Sequence, residues 1–145
     1  MLMEPQPNVG YVRAAQLIKV IDGDSLRCNV DLGFTVNVVR DIRLAGCDTP
    51  EVRGSEAAAG KFVAEQLKSF IGDETELIID SVDFAVGKYG RCLAKVWVHG
   101  ACLNYWLLAT GYAWRTDSSG RVANRSIETL DLPEGIKQQV RERQL

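Results

Sequence analysis

Arg43, Asp48 and Glu51 place one cation and two carboxylates in a single short stretch, Arg-Leu-Ala-Gly-Cys-Asp-Thr-Pro-Glu. Like charges so close in sequence are costly unless they bind something charged. Two further turns hold residues of complementary type. Val20-Ile21-Asp22-Gly23-Asp24 offers a carboxylate at Asp24, and Gly87-Lys88-Tyr89-Gly90-Arg91 offers two cations and a phenol. Each alone could be an ordinary turn, since Asp-Gly and Lys-Tyr-Gly are common turn sequences. Together they form a parts list. Asp24, Asp48 and the Thr49 carbonyl are oxygen donors suited to a hard cation such as Ca²⁺. The guanidinium forks of Arg43 and Arg91 suit a phosphate, which arginine can bind through two parallel hydrogen bonds. Lys88 and Tyr89 could hold a neighbouring phosphate or sugar. Glu51, left over from the metal set, can orient or deprotonate a water. The chemistry this implies is metal-assisted hydrolysis of a phosphodiester. The only histidine, His99, stands beside Gly100 at a strand end, so neither a Ser/His/Asp nor a Cys/His triad can be built.

The elements that must carry these residues are mostly strands. Residues 9–21 read as a first strand, followed by the Asp22-Gly23-Asp24 turn. Ser25 to Leu32 alternates, with Leu26, Cys28, Val30 and Leu32 on one side, the period of a half-buried strand. Phe34, Val36 and Val38 resume the pattern after Gly33. The phase is disturbed near residues 39–41, where a bulge is expected. Ile42 and Leu44 then point inward, and Arg43 outward. Pro50 biases Thr49 toward an extended backbone and so fixes the direction of the flanking acids. A helix is expected from a Ser55 cap, with Ala58, Phe62, Leu67, Phe70 and Ile71 as its apolar face and Gly72 as its stop. Residues 75–84 and 91–99 read as strands, and Leu103–Thr110 as a short helix ending at Gly111. The order strand, strand, strand, helix, strand, strand, helix is that of a five-stranded Greek-key β-barrel with helices, of OB type. Beyond it, residues 115–145 are expected to form a loop and a surface helix after Pro133, held by few contacts.

Composition bounds the function. With 145 residues, 46% hydrophobic and 25% charged, the sequence fits one soluble domain with a substantial core. A net charge of −2 argues against coating nucleic acid by bulk electrostatics, though not against a local arginine cluster. No apolar run approaches the roughly 20 residues that span a bilayer. The N-terminus, with an early acid and two prolines, does not read as a secretory signal, so the expected setting is cytoplasmic, with no membrane association. Cys28, Cys47, Cys92 and Cys102 lack metal-ligand spacing; Cys28 and Cys92 fall on apolar strand faces, and reduced core thiols are expected.

Three linked segments, Val20-Ile21-Asp22-Gly23-Asp24, Arg43-Leu44 leading to Asp48-Thr49-Pro50-Glu51, and Lys88-Tyr89-Gly90-Arg91-Cys92-Leu93-Ala94, resemble in order and spacing the signature segments of the staphylococcal (micrococcal) nuclease family. Leu103-Asn104 through Gly111-Tyr112-Ala113 resembles that family's second helix, so the resemblance covers about residues 10–114 of a single domain. It implies an OB barrel and Ca²⁺-dependent cleavage of DNA and/or RNA, single strands preferred, with little sequence specificity and 3′-phosphate products. Mg²⁺ or another hard divalent cation would suit the same donors, and no obligate protein partner is evident. Asp24 and Asp48 resemble the metal carboxylates, Thr49 the carbonyl ligand and Glu51 the general base. Asp22 matches a neighbouring acid that is not a ligand. Arg43 and Arg91 resemble the phosphate clamp, the latter also a candidate acid for the leaving group, and Lys88 and Tyr89 match positions that touch nucleotide phosphate.

The sequence also departs from the family prototype. The hairpin between Asp24 and Arg43 is longer. The loop from Glu51 to Ser55 is shorter and lacks a lysine-rich excursion. Asp117 stands about where a tyrosine would pack the nucleotide, so weaker base stacking is expected. The competing reading is a binding module that holds nucleic acid or protein without cutting. The spare Glu51 speaks for the enzyme.

Overall fold

The computed structural model describes residues 3–6, 11–81 and 92–145. Strands β1 (Val12–Asp22), β2 (Ser25–Gly33) and β3 (Val36–Leu44) form an antiparallel meander. Two register shifts in the β1–β2 pairing, between Leu17 and Lys19 and between Val20 and Asp22, give β1 extra residues. Such irregularities curl a strand. They let β1 pair with β2 on one edge and, through Ala14 opposite Ile78, with β5 (Glu76–Asp80) on the other. Strand β6 (Cys92–Val98) pairs antiparallel with β5 and parallel with β3, where Arg43 lies opposite Leu93. The circuit β1–β2–β3–β6–β5–β1 closes the five-stranded barrel expected from the strand order. Two-residue strands flank it: β4 (Cys47–Asp48), β7 (Ala101–Cys102) and β8 (Trp114–Arg115), with β4 paired to β8.

The expected bulge at residues 39–41 is absent, because the β2–β3 register runs unbroken from Asp31 opposite Asn37 to Ser25 opposite Arg43. Arg40 keeps phase with Val38 and Ile42 but is exposed. The hairpin outgrows the core there, so its inward phase no longer means burial. Leu32 and Val36 are exposed for the same reason, and Phe34 at the tip is 98% exposed.

Helix α1 (Ala57–Ile71) lies across the barrel. Its start differs from expectation. Ser55 makes no cap hydrogen bond and falls inside a 3₁₀ turn, Gly54–Glu56, which leads into the helix. The buried face is also narrower in side-chain size: Ala59, Gly60, Val63, Ala64, Leu67 and Ile71. Small residues bring the helix axis close to the barrel. The bulkier Phe62 and Phe70 lie at its margin, where Phe70 stacks on Trp106 with ring centroids 4.5 Å apart. Helix α2 (Leu103–Thr110) occupies the expected span and ends at Gly111, whose φ of 79° is a left-handed cap.

The tail is more deeply integrated than its polar sequence suggests. Ile127, Leu130, Leu132 and Val140 are buried, the last on α3 (Glu134–Arg143), which packs on α1. The spacing of Ile136 and Val140 puts them on one helix face, but nothing in so charged a segment shows how deeply that face docks. Cys28 and Cys47 are buried free thiols, and burial pushes each up to about 12, so neither is a nucleophile near neutral pH. No described helix is long and apolar enough to cross a membrane.

Candidate active site

The first turn and the β3–α1 connection meet at one end of the barrel. Gly23 permits the approach. A Cβ there would stand 2.6 Å from Val63 Cγ1 of α1 and 3.0 Å from Thr49 Oγ1, so a larger residue would wedge the Asp22-Gly23-Asp24 turn away from the helix. Asp24, only 3% exposed, accepts the Thr49 N–H at 2.8 Å on Oδ2 and the Ser25 hydroxyl at 3.1 Å on Oδ1. Its backbone carbonyl accepts the Leu44 N–H at 2.8 Å. The turn is thereby tied to the end of β3 and to the Asp48–Thr49 stretch. Thr49 acts through its backbone. Its hydroxyl is buried with no hydrogen-bond partner among the described residues.

Arg43 leaves β3 away from the core, as expected, but is largely covered rather than open to solvent. Nη1 pairs with Asp24 Oδ2, while Nη2 reaches Asp48 Oδ1 at 3.1 Å and the Cys47 carbonyl at 3.3 Å. Burial alone would lower the Arg43 pKa, but Asp24 and Asp48 outweigh it and raise it, so the guanidinium stays charged. One guanidinium thus touches both aspartates, which fixes their carboxylates around a common point. Asn104 of α2 braces the strand ends beneath. Its Nδ2 donates to the Ala45 carbonyl at 2.8 Å and the Ala94 carbonyl at 3.1 Å, and its Oδ1 accepts the Val96 N–H at 3.1 Å.

Glu51 lies beyond buried Pro50, with its side chain 64% exposed. Partial desolvation, with Asp22 and Asp24 nearby, raises its pKa above the ordinary glutamate value, and Arg125 opposes the rise. The Glu51 N–H donates to Glu56 Oε1 at 3.1 Å. Glu56, in the 3₁₀ turn before α1, therefore fixes the backbone that presents Glu51.

Arg125 was not anticipated. It reaches back from the tail to Asp48 Oδ2 through Nε at 2.8 Å, to Glu56 Oε2 through Nη1 at 2.5 Å and to the Thr49 carbonyl through Nη2 at 3.2 Å. Nη2 also lies 3.8 Å from Glu51 Oε1, and the guanidinium carbon sits 4.4 Å over the Trp114 ring. Burial disfavours its charge, but the bonds to Glu56 and Asp48 more than compensate and hold its pKa well above the ordinary value. No local pattern marks Arg125, which lies 77 positions from Asp48 in sequence. Trp114 was the nearer clue, a large aromatic placed just before a polar loop. Its indole N–H donates to the Ser126 carbonyl and the Thr129 hydroxyl, both at 3.0 Å, and so anchors the residues after Arg125.

The structure thus brings together Asp24, Arg43, Asp48, Thr49 and Glu51. Lys88, Tyr89 and Arg91 lie outside the described residues. Among the described residues, no group of three or more His, Cys, Asp or Glu side chains is arranged to hold a metal ion. The donor chemistry still suits a hard divalent cation. Two aspartates share one guanidinium, and a backbone carbonyl borders them.

A closed OB-type barrel that gathers Asp24, Asp48 and Glu51 with Arg43 and Arg125 at the turns of one end defines the class, a small β-barrel with helices. The sequence model for the staphylococcal nuclease homologue family matches residues 41–139, more than half the chain, and the protein belongs to that family. The match takes in Arg125 and most of α3. A comparison with curated proteins found no match.

Proposed function

We propose that this protein is a divalent-metal-dependent nuclease that cleaves DNA and/or RNA, Ca²⁺ being the favoured cation and single strands the favoured substrate. The observation that carries the reading is the convergence of Asp24, Asp48, the Thr49 carbonyl, Arg43 and the exposed Glu51 from two separate turns. Asp24, Asp48 and the Thr49 carbonyl would hold the cation, which when bound supplies positive charge against that growing on the phosphoryl oxygens. Glu51 accepts a proton from the attacking water, and its exposure leaves room for that water. Arg43, fixed by Asp24 and Asp48, carries a permanent charge toward the phosphate. Arg91 completes the clamp and protonates the departing 5′ oxygen, and Lys88 and Tyr89 hold the adjoining phosphate. These three roles rest on the family resemblance. Breaking the P–O5′ bond leaves the phosphate on the 3′ side.

The non-cleaving reading has one support, the Arg125 guanidinium already paired with the acids. Glu51→Gln separates the two. Removing a positioned general base costs roughly 10²–10⁴-fold in rate. The variant should lose turnover on that scale and keep its melting temperature, because the side chain is mostly exposed. Equal cleavage by both proteins would remove Glu51 from the mechanism.

A further inference from the structure

We propose that Arg125 is a built-in plug for the cation site, a guanidinium that must swing away before a divalent ion can bind. The proposal rests on the metal-dependent reading above. Arg125 Nε and Nη2 bond the Asp48 Oδ2 and Thr49 carbonyl oxygens, which belong to the proposed ligand set, and Nη2 also faces Glu51. A guanidinium has donors only and carries the same sign of charge as a metal ion. At Asp48 Oδ2 and the Thr49 carbonyl, guanidinium and ion therefore compete. With Arg43 on Asp24 Oδ2 and on Asp48 Oδ1, three of the four oxygens of these two carboxylates are bonded to a guanidinium, and the fourth, Asp24 Oδ1, accepts the Ser25 hydroxyl.

The surroundings show what moves. The backbone that carries Arg125 is fixed on its C-terminal side by the Trp114 bonds to Ser126 and Thr129, and by the buried Ile127. The Arg125 side chain is 32% exposed, so it can rotate into solvent without unseating that anchor. Glu56 is the latch. It pairs with Arg125 Nη1 and is itself no cation ligand in the proposed set, so its charge favours the closed side chain. Arg125 therefore keeps the acids neutralised and spaced while no cation is bound, and sets a threshold for cation binding.

The test is Ca²⁺ affinity of the intact chain by calorimetry, with thermal melting as the fold control. When only a fraction of the molecules is binding-competent the apparent affinity falls by that fraction, so a plug open about one-fifth of the time weakens binding about fivefold. Arg125→Lys retains the charge but cannot span the same oxygens, so it should bind Ca²⁺ at least about fivefold more tightly than wild type. Glu56→Gln retains an acceptor for the Glu51 N–H and releases the latch. It should also tighten Ca²⁺ binding, although removing a nearby negative charge would by itself weaken it. Unchanged affinity in Arg125→Lys, or weaker binding in a folded Glu56→Gln, overturns the plug while leaving the metal reading intact. If neither wild type nor variants bind Ca²⁺ at millimolar concentration, the metal reading fails and the plug with it.

Discussion

Gly60 touches no substrate, yet it should control catalysis. It lies on the buried face of α1, directly against the backbone that presents Glu51. In Gly60→Ala the new Cβ would stand 2.1 Å from the Glu51 carbonyl oxygen and 2.6 Å from the Val52 nitrogen. Real Cβ contacts stay beyond 3.0 Å, so helix and loop must part by about 0.9 Å or more. The neighbours are backbone, not a flexible side-chain end, so the movement falls on the Glu51 segment itself. Two effects oppose each other in stability. Alanine gains about 1 kcal/mol in helix propensity over glycine, while overpacking costs about 1–3 kcal/mol. The net is a loss of about 0–2 kcal/mol, a modest fall in Tm. Activity is far more sensitive, because a displacement of about 1 Å at a catalytic group can cost about 10²-fold. The assay is turnover of a labelled oligonucleotide beside thermal melting, with Gly135→Ala as control. Gly135 has open space around its Cβ position, so that variant should keep full activity and melt no lower than wild type. Gly60→Ala with wild-type turnover and a raised Tm would refute the packing of α1 on the Glu51 loop as a determinant of the site.

Two further expectations concern the frame around the site. Asn104→Ala would strand the Val96 N–H and the Ala45 carbonyl, while the Ala94 carbonyl keeps the Ala45 N–H at 2.9 Å; each stranded group costs about 1–3 kcal/mol. A destabilisation of about 2–4 kcal/mol is expected, read as a lower urea midpoint at unchanged slope; a shift under about 0.5 kcal/mol would contradict the bonding. Glu128 receives two bonds from Arg141, at 2.6 and 2.7 Å, and these hold its carboxyl below the ordinary glutamate range. The folded state then binds fewer protons than the unfolded one. The pair's small contribution is fully present above the unfolded value of 4.5 and lost as pH falls through the lower folded value. The Tm difference between wild type and Glu128→Gln should therefore shrink on acidification from about pH 6 to about pH 3, and a constant difference would assign it to something other than this pair.

The barrel was legible because its strands alternate: Leu26, Cys28 and Val30, and later Ala94, Val96 and Val98, bury one face in period two. The acid-rich turns were legible because their residue types and linked spacing are specific. Contacts made across long sequence separations were not. Nothing near Arg125 points to Asp48, and nothing near Val140 marks it as fully buried, since each depends on where the tail docks. The partners of Glu56 are hidden for the same reason: it stands at the helix start, but it bonds the Glu51 amide and a guanidinium from the tail. The helix face was overestimated in bulk, because close packing against the Glu51 loop selects Gly60 and small neighbours over large apolar residues.

The central claim is that these turns form a metal-dependent site for breaking phosphodiesters. It is tested most directly by incubating the wild-type protein with end-labelled single-stranded DNA and RNA, with Ca²⁺ or with chelator, and resolving the products. Fragments ending in 3′-phosphate are expected in the presence of Ca²⁺ and none with chelator. Binding of the oligonucleotide without Ca²⁺-dependent fragments would contradict it and leave the barrel a binding module.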